Sequence, residues 1–117
     1  MTASMHGELT FFEIGVPDSE RAQTFFARLF GWQFPPTGEP DQVWVKTPTI
    51  MAGLHEQDAE AHIAMYFAVD DIELAVHSVR ELGGTAEDPG PEEPGFGRFA
   101  ACIDDQGLQF GLHQAAG

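Results

Sequence analysis

The chain has 117 residues, of which 43% are hydrophobic, and this predicts one domain with a modest core. Its 19 acidic residues outnumber its 5 basic residues, so the formal net charge is −14. Such a surface repels phosphate backbones, so nucleic acid is excluded as an expected partner. The charge favours cationic ligands, although acids spread along a chain chiefly keep a protein in solution.

Targeting and redox features favour the cytoplasm. No stretch is long and apolar enough to span a membrane, and the first residues lack the basic and apolar segments of a secretory signal. Cys102 is the only cysteine, which excludes an internal disulfide and fits a reducing compartment. We therefore expect a cytoplasmic protein with no membrane partner.

The first half of the chain predicts a strand, a helix and three further strands. Asp18 or Ser19 is expected to cap the helix, and Gly31 to end it. The apolar residues at helical spacing, which are expected to face a sheet, are Ala22, Phe25, Phe26, Leu29 and Phe30. The predicted strands are residues 9–16, 32–34, 43–46 and 50–55, with Pro35-Pro36 and Pro48 between the later ones.

The pattern then restarts. A helix is expected from Asp70 to Gly83, with an apolar stripe of Leu74, Ala75, Val79 and Leu82. The other predicted elements are strands at 63–69, 98–103 and 108–113, an exposed loop at 87–97 and a tight turn at 104–107. The two halves form an internal repeat, in which each half needs the other to bury its sheet.

The order of several short motifs resembles the glyoxalase/bleomycin-resistance (vicinal oxygen chelate) family. The motifs are Val16-Pro17-Asp18 with Phe25-Phe26-x-x-Leu29-Phe30-Gly31-Trp32, Val69-Asp70-Asp71-Ile72 with Leu82-Gly83-Gly84, Gly97-Arg98-Phe99, and Asp104-Asp105-Gln106-Gly107 with the strand after it. The resemblance covers nearly the whole chain. It implies an α+β fold in which two βαβββ repeats form a cupped eight-stranded mixed sheet with helices outside.

The resemblance also implies the domain organisation and the assembly. Residues 1–117 are expected to be a single domain, with one module at about residues 6–57 and the other at about 61–115. Many members of the family are homodimers, so a homodimer is expected here.

Enzymes of this family bind a divalent metal on the cupped face through His, Glu or Gln side chains. Counted from the motifs, the equivalent positions fall on Phe11, Ala64 and Gly111, and a fourth falls on Ala52 or Gly53. None of these side chains can ligate a metal. The resemblance therefore implies that the usual metal site is absent, and we expect no cofactor.

Strand alternation predicts what replaces the metal site. Residues on the same faces as Phe11, Ala64 and Gly111 are aromatic, small or polar, as in a pocket for an organic ligand. Trp32 and Trp44 offer flat stacking surfaces, with core or dimer-interface packing as the alternative, and Phe96 is a candidate cover. The candidate ligand-binding residues are Leu9, Phe11, Glu13, Trp32, Trp44, His62, Ala64, Tyr66, Phe96, Gln109, Gly111 and His113.

Two histidines support an alternative site. If their strands are antiparallel neighbours, His62 and His113 lie side by side, roughly 7 Å along the strands from the usual metal position. With Glu13 or Gln109 they would hold a displaced metal or act as acid and base; otherwise they are hydrogen-bonding groups at the rim. No catalytic residue is assigned, because the serines lie in no nucleophile elbow and Cys102 is expected in the core.

The leading hypothesis is a metal-independent binding protein that holds an aromatic or hydrophobic small molecule. The resemblance implies a specific version, in which the protein sequesters an antibiotic and so confers self-resistance. The alternative is an enzyme of the family, a glyoxalase-like lyase, isomerase or dioxygenase, with a displaced metal. A third hypothesis is a regulatory or scaffold dimer without a small ligand.

Overall fold

A computed structural model of the protein describes residues 5–56 and 59–116. The elements are β1 (Leu9–Gly15), α1 (Ser19–Phe30), β2 (Gln42–Lys46), β3 (Met51–His55), β4 (His62–Ala68), α2 (Ile72–Glu81), β5 (Thr85–Ala86), β6 (Arg98–Ile103) and β7 (Gln109–Gln114). The chain divides into two compact units. Phe11–Ala64 forms the first unit, and the residues on either side of it form the second unit.

In the first unit, three strands lie in the order β2–β3–β1. β1 is parallel to β3, and β2 is antiparallel to β3. One face of this sheet packs against α1, and its buried core consists of Ile14, Ala22, Val45, Ala52 and Leu54. The core is small because only alternate strand residues point toward the helix.

The ends of α1 follow from its terminal residues. The Asp18 carboxylate accepts a hydrogen bond from the backbone N–H of Arg21 at 3.2 Å, which satisfies one of the unpaired donors at the start of a helix. Glu20 adds a negative charge to the same first turn. Gly31 has φ of 75° and donates its N–H to the Ala27 carbonyl, which ends the helix as predicted.

The apolar stripe predicted for α1 is only partly buried. Ala22 and Phe26 pack toward the sheet, whereas Phe25, Leu29 and Phe30 are 62%, 58% and 57% exposed. Phe25 and Phe26 are consecutive and therefore point about 100° apart around the helix. A single sheet face covers one of these directions, so the other side of the stripe remains on the surface.

In the second unit, four strands lie in the order β4–β7–β6–β5. β4 is parallel to β7, and the other two pairings are antiparallel. The helix α2 covers one face, and the buried core there consists of Val69, Ile72, Val76, Ala100, Cys102 and Leu112. Cys102 lies in this core as predicted, and burial raises the pKa of its thiol.

The start of α2 is held from two directions. Asp71 is the N-cap and accepts from the Leu74 N–H at 3.1 Å, and Gln114 Oε1 accepts from the Ile72 N–H at 2.8 Å. The cap lies one residue later than the Asp70 start expected from the repeat. The buried side chains are Ile72 and Val76, and Ala75 and Val79 of the predicted stripe pack against the same core. The prediction was wrong for Leu74 and Leu82, which are 62% and 79% exposed.

The α+β class and the mixed sheets are confirmed, but the described residues contain seven strands rather than eight. Residues 32–34 form only an isolated bridge between Gln33 and Lys46, because Pro35 and Pro36 have no N–H to continue a ladder. The short β5 was missed, because two residues carry no periodic signal. Among the described residues, no helix is long and apolar enough to cross a membrane.

A carboxylate organises the turn between β6 and β7. Asp104 Oδ1 accepts hydrogen bonds from the backbone N–H groups of Gln106 and Leu108, both at 2.8 Å. Gly107 follows with φ of 91°, which a glycine adopts without strain. The bond from Leu108, then that from Gln106, favours the charged carboxylate and lowers the pKa of Asp104.

We predict a pH-dependent contribution from this turn. A lowered folded-state pKa means that the Asp104 carboxylate stabilises the fold above its unfolded pKa of about 3.9, and that this contribution disappears as the pH falls through the folded value. Asp104→Asn keeps an oxygen acceptor but removes the charge. The stability advantage of the wild type over Asp104→Asn should therefore shrink as the pH is lowered from about 6 to about 3.

Urea unfolding at several pH values measures this difference. The exposed neighbour gives a matched control, because Asp105→Asn removes the same charge without removing a turn acceptor. If the free energies of unfolding of the two variants changed with pH in the same way, the charge of Asp104 would add no stability through its backbone hydrogen bonds.

Candidate functional site

The face of the first unit that points away from α1 carries the first group of candidate residues. On β1, Glu13 is in register with Gly53 of β3, which is in turn opposite Trp44 of β2. Phe11 lies two residues earlier on the same face and is 4% exposed. The Phe11 and Trp44 rings meet edge to face, with centroids 6.2 Å apart and planes at 82°. This face is therefore aromatic, with one half-buried carboxylate.

Gly53 leaves the space that Glu13 uses. A Cβ atom placed on Gly53 would lie 3.2 Å from Glu13 Oε1 and 3.5 Å from the Phe11 ring. Ala52, by contrast, is fully buried in the core beneath α1. Of the two residues considered for the fourth position, Gly53 therefore shares the face of Phe11 and Glu13, and Ala52 lies on the opposite face.

On the second unit, the ring of Tyr66 covers Gly111. The two residues are in register between β4 and β7, and a Cβ atom placed on Gly111 would lie only 2.1 Å from the ring. The Tyr66 side chain is 8% exposed, and its ring meets that of Phe99 edge to face at 5.7 Å. Any residue larger than glycine at position 111 would have to displace this ring.

His113 lies on the same face of β7 and is 8% exposed. Its ring stacks on Phe99, with centroids 4.7 Å apart and planes at 5°. Nε2 donates to the Phe96 carbonyl at 2.5 Å, because a carbonyl can only accept. In the neutral ring Nδ1 then accepts from the Thr10 hydroxyl at 2.8 Å. His113 therefore holds the Phe96 segment and the start of β1 to β7.

The displaced-metal alternative loses its geometric basis. β4 and β7 are parallel over Tyr66–Ala68, so the prediction that they are antiparallel, which brought His62 beside His113, is wrong. The exposed His62 donates from Nδ1 to the Glu60 carbonyl at 3.2 Å. Across residues 5–56 and 59–116, no group of three or more His, Cys, Asp or Glu side chains is placed to hold a metal ion.

The remaining candidates lie in less enclosed positions. Trp32 packs on the helix side of the first unit, stacked on Phe26 at 5.4 Å, which corresponds to the core-packing alternative. Leu9 and Gln109 are exposed, and Ala64 is half-buried. The sequence places all three on the ligand-binding faces, and that assignment stays a prediction.

Two contributors to the second-unit face were missed from the sequence, Phe99 and Thr10. Phe99 is in register with His113 across β6 and β7, so alternation on β6 would have placed it beside the histidine. Thr10 contributes through its hydroxyl alone. A single threonine in a strand gives no sequence signal that distinguishes it from a surface residue.

Comparison with known proteins now identifies the family. The family model described as a glyoxalase-like domain matches residues 11–113. The chain belongs to this family. The predicted resemblance is therefore confirmed. A comparison with curated proteins found no match.

Solved structures with the same fold include extradiol dioxygenases. A ring-cleaving dioxygenase from Brevibacterium fuscum superimposes with a TM-score of 0.74 at 18% identity, over 97% of this chain and 34% of that one. Homoprotocatechuate 2,3-dioxygenase from the same organism, in complex with 3,4-dihydroxyphenylacetate, gives 0.72 at 16% identity, over 97% and 37%. The glyoxalase-like domain spans about one third of these enzymes, and identity this low shows the fold alone.

The residues that the resemblance equates with the family's metal ligands do not fit a divalent ion. Phe11, Gly53, Ala64 and Gly111 offer no side-chain oxygen or imidazole. The Tyr66 ring also occupies the space in front of Gly111, where a ligating side chain would have to stand. Both the residue types and their packing therefore depart from a metal-binding arrangement.

The contact between Tyr66 and Gly111 gives a direct test. Gly111→Ala places a methyl group inside the ring volume and should destabilise the protein by about 1–3 kcal/mol, the usual cost of overpacking. Gly53→Ala is the matched control, since its nearest neighbour is a flexible carboxylate, and it should cost under about 1 kcal/mol.

Urea denaturation of both variants measures these costs. Tyr66→Ala should cost less stability in the Gly111→Ala background than in the wild type, because there it also removes the atoms that clash. Equal stabilities for Gly111→Ala and Gly53→Ala would contradict the observed packing.

Proposed function

We propose that this glyoxalase-like domain binds a small, largely aromatic organic molecule without a metal ion. The observation that carries the proposal is the replacement of ligating side chains by rings and by glycine. The family positions hold Phe11 and Gly111, and the rings of Trp44 and Tyr66 pack directly against them. Faces of this make-up contact organic ligands through stacking and apolar burial.

The first-unit face supports a particular class of ligand. Phe11 and Trp44 provide an aromatic corner, and the Glu13 carboxylate lies beside it over Gly53. A half-buried carboxylate next to aromatic rings attracts a cationic group, both by charge and by cation–π contact. The net charge of −14 acts in the same direction. A planar ligand with a basic substituent fits these residues best.

The second-unit face supports binding rather than proton transfer. Both ring nitrogens of His113 already bond to other groups of the protein, Thr10 and Phe96. The rings of Tyr66, Phe99 and His113 form a continuous aromatic series with two contacts under 6 Å. This series contributes surface for stacking.

A binding role of this kind suits sequestration of an antibiotic. Sequestration needs burial of the drug and a few fixed polar contacts, and it needs no chemical step. Bleomycin-resistance proteins, which the sequence resembles, supply a precedent for such a role. We propose basic aromatic antibiotics as the first ligands to test, and self-resistance as the physiological consequence.

Tryptophan fluorescence tests the proposal and its location together. A panel of bleomycin-type, enediyne-type and anthraquinone-containing compounds should include one that quenches emission with saturation. Quenching should persist in Trp32→Phe, since Trp32 packs against α1, and should largely disappear in Trp44→Phe, which retains an aromatic ring. Glu13→Gln should weaken binding of cationic compounds by up to about tenfold and leave neutral analogues unchanged.

Two results would count against this function. The absence of saturable quenching across the panel would remove antibiotic sequestration. Stoichiometric Zn, Ni, Mn or Fe in the purified protein, lost in His62→Ala or His113→Ala, would instead support an enzyme with a displaced metal. A variant such as His77→Ala, on the surface of α2, controls for nonspecific metal uptake.

A further inference from the structure

An open groove runs along the outer side of α1 in the first unit. Its volume is about 780 Å³, and residues between Asp18 and Leu29 line it. Phe25 and Leu29, one helical turn apart, form its apolar floor and are 62% and 58% exposed. A smaller hollow of about 350 Å³ adjoins it and shares Asp18, Arg21 and Phe25. Adjacent large apolar side chains at this exposure mark a contact surface. We call this surface the α1 groove.

Two arginines border the apolar floor of the α1 groove. Arg21 lies one turn before Phe25, and Arg28 directly precedes Leu29, so the two arginines lie along the same side of the helix. Within the part of the chain that the structure describes, neither of them forms an ion pair. The two arginines of the second unit, by contrast, both pair with carboxylates. Two guanidinium groups without a carboxylate partner, beside exposed apolar side chains, are suited to an anion with an apolar body.

The charges of the α1 groove are separated along the helix. Its two acids are Asp18, which caps the helix, and Glu20 in the first turn, whereas Arg28 lies in the last turn. Among the described residues that line the groove, the end near Leu29 therefore carries a base and no acid. The negative partial charge at the end of a helix is roughly half an elementary charge, so the full charge of Arg28 exceeds it. The end of the groove near Leu29 is thus its positive end.

We propose that the α1 groove binds a small organic anion with an apolar body, such as an aromatic or aliphatic carboxylate. The carboxylate pairs with Arg28, whose planar guanidinium matches the two oxygens of such a group. The apolar body lies along Phe25 and Leu29 toward Arg21, whose guanidinium packs on an aromatic ring. A groove of this volume suits a small molecule of this kind.

The charge balance of the chain favours a ligand with a single negative charge. The net charge of −14 repels anions, and the repulsion grows with the charge of the ligand. A monoanion with a large apolar body meets the least repulsion and gains binding energy from apolar contact. Because the groove covers only one side of the ligand, we expect a dissociation constant on the order of 100 μM. This inference is independent of the function proposed above, because that ligand is cationic and contacts other residues.

An NMR titration with three naphthalene derivatives tests the inference. Naphthalene-2-carboxylate should shift the backbone amide signals of residues 24–30 with saturation. Naphthalene-2-carboxamide, which has the same shape and no charge, should bind at least about threefold more weakly. Raising the salt concentration from about 20 to about 500 mM should reduce this difference, because exposed charges are screened. The third compound, naphthalen-2-ylmethylammonium, should leave α1 unshifted, and any shifts that it causes around Glu13 report on the proposed function alone.

Substitutions on α1 locate the site. Arg28→Gln should weaken binding of the carboxylate by about fivefold and leave binding of the carboxamide unchanged, whereas Phe25→Ser should weaken both. Arg28→Lys keeps the charge without the planar fork and should fall between the wild type and Arg28→Gln. Arg80→Gln and Leu74→Ser are the matched controls on α2, since Arg80 pairs with Asp88 and Leu74 is equally exposed at 62%. Neither control should change binding of the carboxylate, and the amide spectrum verifies that each variant stays folded.

Three outcomes would overturn the inference. The first is a carboxylate that binds no more tightly than the carboxamide. The second is a set of saturable shifts that lies outside α1 and the hollow beside it. The third is carboxylate binding that either Arg28→Gln or Phe25→Ser leaves unchanged.

Discussion

The Tyr66 ring lies against the bare backbone of Gly111, and the rest of the second-unit face depends on this contact. The ring lies where any side chain of residue 111 would begin, so this position of β7 contains no side chain that could reach a metal ion. Because protein interiors are close-packed, the space beside position 111 holds either a side chain of that residue or the Tyr66 ring, and not both. Phe99 packs on Tyr66, and His113 stacks on Phe99. The absence of a side chain at Gly111 therefore makes room for the first of three rings in contact.

The first unit reaches a comparable result with different residues. Gly53 again lacks a side chain, but the space beside it is taken by the Glu13 carboxylate rather than by a ring. The two faces therefore differ in character, one with a charge beside an aromatic corner and the other with neutral stacked rings.

Much of the fold could be predicted from the sequence, because helix caps and strand alternation are local. Asp18 and Gly31 bound α1 as expected. The N-caps also correct the alignment of the repeat, since Phe11 precedes Asp18 by seven residues and Ala64 precedes Asp71 by the same seven. The predicted helix start at Asp70 is one residue too early, so it made these two spacings differ.

What could not be predicted depended on strand direction and on which side of a helix meets a sheet. The parallel pairing of β4 with β7 is a property of the folded chain, and neither strand's own pattern encodes it. Phe25 is exposed and Phe26 packs against the core, although both are phenylalanines of the predicted stripe. The stripe is wider than the area that one sheet face covers. Phe99 and Thr10 could not be predicted for a related reason. Both contact His113, which lies on another strand, and in the case of Thr10 it is 103 residues away in the sequence.

The bond from Ile72 to Gln114 has a practical consequence for handling the protein. The Gln114 side chain accepts from the start of α2, which lies 42 residues earlier in the chain. A variant cut after residue 113 would lose this acceptor and would keep the Asp71 cap. Affinity tags and fusion partners are therefore best attached after residue 114, so that the glutamine amide keeps its place.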